Sequence, residues 1–361
     1  MSSRILRGLL LILPVALLSG CGAVVLQPSG DVALQQRDLV LVSTVLMLLI
    51  IVPVMTLTGW FAWHYRDSNT KAHYDPEFHH STALELVIWS APLLIIIALG
   101  AVTWISTHTL DPFRPIERLR AGQPLDPQAK ALKVEVVALD WKWLFFYPDY
   151  GIATVNELAA PIDVPIDFQI TSSTVMNSFY IPALAGQIYA MPAMETQLHA
   201  VINQPGSYEG FSANYSGAGF SDMHFRFLGM SQQDFGRWVA AVKAGGGKLT
   251  REGYQALEKP SQREPVRRYA EAAPDLYDAI LNLCVDRSKM CQRDMMKTDA
   301  RGGAGLASAY NIGNLAYDSL HSRGGDEPLP HMPYVLALCS SSPAPLWSPA
   351  PPAAARPKTV H

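Results

Sequence analysis

Three apolar runs stand in the first third of the chain, and a different periodicity takes over behind them. Gly8 to Leu18 is apolar with Pro14 inside it, and neither Leu39–Trp63 nor Leu86–Ser106 contains a charged residue. About 20 apolar residues cross a bilayer, so the second and third runs predict membrane-spanning helices at 39–63 and 86–106. Trp60, Trp63, Tyr65, Trp89 and Trp104 lie toward the ends of these runs, where aromatic rings favour the membrane interface. Farther on, Val164, Ile166, Phe168 and Ile170 alternate with Pro165, Asp167 and Gln169. Leu198, Ala200 and Ile202 alternate less cleanly, and Phe225 and Phe227 alternate with His224 and Arg226. Period two predicts half-buried strands, and Gln204-Pro205-Gly206 between two of them predicts a turn. Several short strands so punctuated predict a β-sandwich or barrel. After residue 230 the period becomes helical. Ser231 with Asp234 resembles a capping box, Phe235, Trp238, Val239 and Val242 follow at helical spacing, and Gly245-Gly246-Gly247 stops the helix. Pro274 to Leu283 predicts another helix.

The first apolar run is a processing signal. Arg4 and Arg7 precede it, and Leu18-Ser19-Gly20-Cys21 follows it. A small-residue cleavage site behind such a run marks export. This one resembles a bacterial lipobox, in which Cys21 takes a lipid and becomes the mature N-terminus. With Cys21 on the outer face, the first span runs inward and the second returns. Residues 64–85 are then cytoplasmic, and the chain after the second span is periplasmic.

Composition agrees with a chain partly in lipid. Hydrophobic residues make up 49% and charged residues 16%, against about 25% charged in a soluble domain. A net charge of −3 without basic runs gives no reason to expect a nucleic-acid partner.

Four stretches resemble subunit II of the haem–copper oxidases, in the quinol oxidase branch. They are the lipobox with two spans, Leu139–Phe145 with Ile152–Glu157 behind it, Met176–Pro182, and Gly210–Met223. The resemblance covers roughly residues 20–285. It implies a membrane-anchored α+β protein: a two-helix transmembrane hairpin, a periplasmic cupredoxin-like β-sandwich, and C-terminal helices. The organisation expected is a lipoprotein signal peptide at 1–20, a periplasmic segment at 21–38 and the spans and loop already given. A connector at 107–130, the cupredoxin-like domain at 131–230, an aromatic-rich helical extension at 231–285 and a variable tail at 286–361 follow. The Pro-, Ala- and Ser-rich end beyond about 343 is expected to be disordered.

The resemblance also points to a missing metal site. Copper-bearing relatives hold a binuclear centre with two Cys, two His, a Met and a Glu carbonyl. The matching positions here are Ser212 and Ser216 for the thiolates, Asn177 and Phe220 for the imidazoles, and Asn214 for the Glu; only Met223 is retained. Copper of this kind needs thiolate and imidazole. No cofactor is therefore expected on this chain, and haems and copper are expected in partner subunit I. Electrons are expected to come from ubiquinol bound by subunit I, not from cytochrome c. Subunit I, further small membrane subunits and membrane lipid are the expected partners. The competing readings are a cytochrome c oxidase subunit II, disfavoured by the absent ligands, and a free-standing cupredoxin-like lipoprotein, disfavoured by two spans.

Among the remaining residues, the resemblance implies that Glu85 serves proton uptake at the cytoplasmic start of the second span. Trp141 and Trp143 are expected on a strand near the vacated site, in a structural role. Cys284 and Cys291 face an oxidising compartment and form a candidate disulfide; Met290, Met295 and Met296 nearby are expected to pack a helix. His79-His80 is expected to be a solvated loop pair. Cys339 has no assigned partner.

Overall fold

The computed structural model describes residues 24–300 apart from Tyr74 and Pro127. Cys21 with its lipobox, Cys339 and the Pro-rich end lie outside the described residues.

Both apolar runs are helices, longer than their uncharged cores. α1 spans Asp31–His64 and α2 spans Thr82–Thr109. α1 begins before the uncharged run because Gln35, Gln36, Arg37 and Asp38 continue the helix outside the apolar stretch. Pro53 and Pro92 lie inside the helices, which membrane helices tolerate. Almost every large side chain on them is exposed, as bilayer-facing helices require. Asp31, Gln35 and Gln36 at the start of α1 line one cavity of about 300 Å³ together with Thr109 and Leu110 at the end of α2. The helices therefore run antiparallel, with both of those ends beside the β-domain.

The domain grips that end of the hairpin. The Ser29 and Gly30 amides donate to the Ala183 carbonyl at 2.9 and 2.8 Å. Gly30 allows this because a Cβ there would lie 2.5 Å from the Leu184 carbonyl oxygen. Asp31 is buried and accepts from Arg118 Nε and Gln35 Nε2, each at 2.8 Å. The loop 65–81 joins the opposite ends of the helices, away from the β-domain.

A short ribbon, β1 (Arg118–Arg120) with β2 (Gln123–Pro124), leads into the domain. Then come β3 (Leu132–Leu139), β4 (Lys142–Tyr147), β5 (Ile152–Val155), β6 (Glu157–Pro161) and β7 (Pro165–Ser172). β8 (Asn177–Tyr180), β9 (Ile188–Ala190), β10 (Thr196–Val201), β11 (Gly206–Ser212) and β12 (His224–Met230) complete the sandwich. One sheet has the order β6-β12-β11-β8-β9, and β10-β7-β3-β4-β5 forms most of the other. Alternation along β7 and β12 sends Phe168, Phe225 and Phe227 inward. Phe179 and Phe225 stack at 5.4 Å, and Trp143 meets both edge-on at 5.4 and 5.6 Å. Gly210 makes room for this stack, since a Cβ there would sit 2.0 Å from the Phe225 ring.

The stretch after the sandwich departs from the expected helical extension. α3 (Gln232–Gly245) forms as predicted, with Ser231 Oγ accepting from the Asp234 amide at 3.1 Å. Phe235, Trp238, Val239 and Val242 are its buried face. Then β13 (Gly247–Leu249), α4 (Arg251–Glu258), β14 (Arg267–Ala272) and α5 (Leu276–Leu281) follow. β14 pairs antiparallel with β5 and parallel with β13, so the sheet that contains β5 grows to seven strands. The strands escaped a period-two reading because half of β14 is exposed and charged, and none of it is fully buried. It is held by its ladder and not by an apolar face.

The described residues 282–300 belong to a second compact unit. In it a disulfide joins Cys284 to Cys291, and α6 spans Gln292–Ala300. Met295 and Met296 are exposed on α6, so they do not pack the helix as the sequence suggested.

Candidate functional site

The six positions matched to copper ligands meet at one end of the sandwich. Asn177 begins β8, Ser212 ends β11, and Asn214, Ser216 and Phe220 lie on the loop between β11 and β12, which closes at Met223. The Ser212 amide donates to the Met223 carbonyl at 3.2 Å, so the loop's two ends are tied. Ser212 Oγ lies 3.1 Å from Asn177 Oδ1 and 3.2 Å from the Asn214 carbonyl, and it faces the Ser178 amide at 3.4 Å. Asn177 Nδ2 donates to the Val175 carbonyl at 3.1 Å, and Asn214 Nδ2 donates to the Met176 carbonyl at 3.2 Å. Ser216 Oγ lies 4.0 Å from the sulfur of the fully buried Met223. Phe220 packs edge-on against Tyr215 at 5.6 Å.

This donor set does not fit a binuclear copper centre. A serine hydroxyl holds its proton near neutral pH and cannot bridge two metals, and Phe220 has no donor atom. The Asn177, Ser212 and Asn214 groups satisfy one another and nearby carbonyls, and the Ser216 hydroxyl meets the Met223 sulfur. The polar groups left by the absent ligands thus cost little to bury. Among the described residues, no three His, Cys, Asp or Glu side chains converge as a metal site needs.

The two tryptophans play different parts. Trp143 lies on β4, but Trp141 is in the turn before it, with φ of 86°, and not on a strand as the sequence suggested. Its indole nitrogen donates to the Ser216 carbonyl at 3.0 Å. Its ring covers Gly219, where a Cβ would lie 2.4 Å away. Trp141 therefore holds the emptied loop in shape. Trp143 is fully buried in the aromatic stack.

Three residues beside these have roles that the sequence reading left unassigned. Lys142 is fully buried, and its ammonium donates to the carbonyls of Asp140 and Lys259 at 3.0 and 2.8 Å and to Ser261 Oγ at 2.8 Å. Burial pushes its pKa below the usual lysine range, against the opposing pull of Glu264 and Asp140. Asn156, at φ of 55°, accepts from the Trp143 amide and donates to the Glu264 carbonyl, each at 2.8 Å. Positive φ suits Asn better than most residues. Glu157 accepts from Trp238 Nε1 at 3.0 Å and from Arg268 at 2.9 and 2.7 Å. Together they strap residues 259–268 across the sandwich, and Arg263 reaches Asp222 of the emptied loop at 3.1 Å. The only sequence signal was a charged residue in an otherwise apolar stretch, Lys142 among Trp141, Trp143 and Leu144.

Glu85 stands in the first turn of α2, far along the chain from the sandwich. Its Oε1 is 2.8 Å from His80 Nδ1, and His80 Nε2 is 3.2 Å from Thr82 Oγ1. His79 turns elsewhere, with Nδ1 against the Glu77 carbonyl at 2.5 Å.

Residues 151–227 match the family described as cytochrome c oxidase subunit II, periplasmic domain, and residues 243–288 match the COX aromatic rich motif. The cytochrome bo(3) ubiquinol oxidase subunit 2 of Pseudomonas putida is 47% identical over 307 residues, covering 85% of this chain and 94% of its own. The ubiquinol oxidase subunit 2 of Acetobacter aceti is 48% identical, covering 73% and 84%. The quinol oxidase subunit 2 of Bacillus subtilis is 39% identical, covering 70% and 77%. A solved periplasmic domain of cytochrome oxidase subunit II from Bradyrhizobium japonicum is 22% identical, covering 33% of this chain and 98% of its own. Its TM-score is 0.31, too slight to bear on the fold. At this identity and coverage, the chain belongs to the family of subunit II of the bo(3)-type ubiquinol oxidases.

Proposed function

We propose that this chain is the non-catalytic subunit II of a respiratory, proton-pumping oxidase that oxidises ubiquinol and reduces oxygen to water. Electrons enter through subunit I, which carries the haems and copper; cytochrome c is not a donor. The observation that supports this reading most is the emptied loop. Asn177, Ser212, Asn214, Ser216 and Phe220 form a self-satisfied polar and aromatic cluster with no thiolate or imidazole. With no electron relay on this chain, the donor must reach the haem subunit directly.

The subunit sits in the bacterial inner membrane with its large domain in the periplasm and loop 65–81 in the cytoplasm. Cys21 is lipidated and anchors the N-terminus on the outer face. Glu85, at the cytoplasmic start of α2, takes up protons for subunit I. Subunit I and small membrane subunits are the partners, with lipid around α1 and α2.

Purification of the affinity-tagged chain from detergent-solubilised membranes tests this. The expected result is a complex with a large haem-bearing subunit that oxidises ubiquinol. A colourless chain recovered alone would favour a free-standing lipoprotein instead.

A further inference from the structure

We propose that His80 is the proton donor to Glu85, a two-residue relay at the cytoplasmic mouth of the subunit. The inference rests on Glu85 being the proton-uptake carboxylate. The geometry is that of an oriented acid–carboxylate pair: His80 Nδ1 lies 2.8 Å from Glu85 Oε1. The ring's other nitrogen is held by Thr82 Oγ1 at 3.2 Å. A histidine contacting a carboxylate through one nitrogen and a hydroxyl through the other has its plane and its tautomer set. Neutral His80 with hydrogen on Nδ1 donates to Glu85, and its bare Nε2 accepts from the Thr82 hydroxyl.

Sequence spacing makes the pair possible. Thr82 opens α2, and Glu85 lies in its first turn. His80 lies just before the helix, so its side chain folds back over that turn. Glu85 is the only ion-pair partner of His80 among the described residues. Other charged and titratable groups of this loop have contacts of their own. His79 contacts the Glu77 carbonyl, and Asp75 caps the Glu77 amide at 3.1 Å. Arg66 bonds Ser68 and the Trp63 carbonyl at 3.0 and 2.8 Å. The His80 side chain is 61% exposed, so water reaches it while it touches the carboxylate.

The step moves one proton and no electrons. Hydronium protonates Nε2 and leaves as water, while the Thr82 hydroxyl turns to accept. The Nδ1–H bond breaks as an O–H bond forms on Glu85, leaving neutral His80 with hydrogen on Nε2. Exchange with water, one proton gained at Nδ1 and one lost from Nε2, restores the starting tautomer once Glu85 has passed its proton on. Imidazole suits the donor because it ordinarily titrates near about 6.5, close to cytoplasmic pH. A lone carboxylate, ordinarily near about 4.3, captures protons poorly there.

The test uses the intact oxidase in membranes and measures ubiquinol-driven oxygen uptake against pH for the parent, His80→Gln and Glu85→Gln. His80→Gln is expected to slow turnover several-fold above about pH 7.5. The loss should shrink toward about pH 6, where hydronium protonates Glu85 directly. Added imidazole should restore the rate in proportion to its concentration. Glu85→Gln is expected to be slow at every pH and unrescued, with normal haem content in both variants. If His80→Gln matches the parent across the range while Glu85→Gln is slow, the relay is overturned and the uptake role of Glu85 stands. If His80→Gln is slow but responds to neither pH nor imidazole, His80 is a structural neighbour only, and the relay is again overturned. If Glu85→Gln turns over normally, the uptake role of Glu85 itself fails.

Discussion

Replacing Tyr147 by Phe should cost the domain about 3 kcal/mol, and the cost should depend on pH in a stated direction. Tyr147 is fully buried on β4, and its hydroxyl donates to the Ala159 carbonyl at 2.9 Å and accepts from the Ala159 amide at 2.8 Å. β4 and β6 belong to different sheets, so one hydroxyl clasps the two layers. The ring packs on Trp238 at 5.4 Å and Phe235 at 6.4 Å, contacts that Phe preserves. What is lost is the partner of a buried N–H and a buried C=O, at about 1–3 kcal/mol each. For a domain of this size that lowers Tm by about 6–12 °C. Burial, partly offset by the Ala159 bond and reinforced by Glu157, pushes the hydroxyl pKa far above the usual tyrosine range. The folded state therefore keeps a proton that the unfolded chain releases near about pH 10. That stabilisation is complete below about pH 10 and declines by about 1.4 kcal/mol per pH unit above it. Tyr147→Phe has no such proton, so the gap between parent and variant should narrow as pH rises past about 10. Urea unfolding of a fragment covering residues 110–300, followed by tryptophan fluorescence at stepped pH, measures both quantities. A variant within about 0.5 kcal/mol of the parent, or a gap unchanged above pH 10, would refute the clasp.

Gly210→Ala should destabilise the same fragment by about 1–3 kcal/mol in urea, because its methyl must displace the Phe225 ring from the stack with Phe179. Ser231→Ala should cost about 1 kcal/mol by removing the cap on the Asp234 amide, read in the same assay. Intact-mass spectrometry of membrane-extracted protein should find Cys21 as a lipid-bearing N-terminus; residues 1–20 still attached would refute this. Restoring His at 177 and 220, Cys at 212 and 216 and Glu at 214 should produce the purple absorption of a thiolate-bridged copper pair on adding copper. A folded but colourless product would show that the positions are misaligned.

Much of this architecture was readable along the chain, for physical reasons that differ by region. α1 and α2 announced themselves as long runs of uncharged, mostly apolar residues, and their ends shifted because polar residues such as Gln35 and Gln36 also suit a helix. β7 and β12 alternate because one face of each is core. β4 and β5 are buried on both faces, since the extension covers the outer one, so their alternation vanished. β14 was hidden because its fit lies in backbone pairing with β5, which leaves no trace in side-chain pattern. Trp141 was misplaced by one step because only φ distinguishes the turn from the strand it adjoins. The emptied copper positions were legible through the resemblance alone; nothing in Asn, Ser or Phe by itself points to a lost metal. Their mutual hydrogen bonds, the strap on Lys142, Asn156 and Glu157, and the His80–Glu85 pair all join residues whose proximity only the fold supplies.

The most direct test of the central claim is which donor drives oxygen uptake by the purified complex. Initial rates should be measured with ubiquinol and, separately, with reduced cytochrome c at matched enzyme and low salt. The prediction is fast oxygen uptake with ubiquinol and none above background with cytochrome c, because Asn177, Ser212, Ser216 and Phe220 leave this subunit no copper relay. Sustained turnover on reduced cytochrome c without quinol would contradict it.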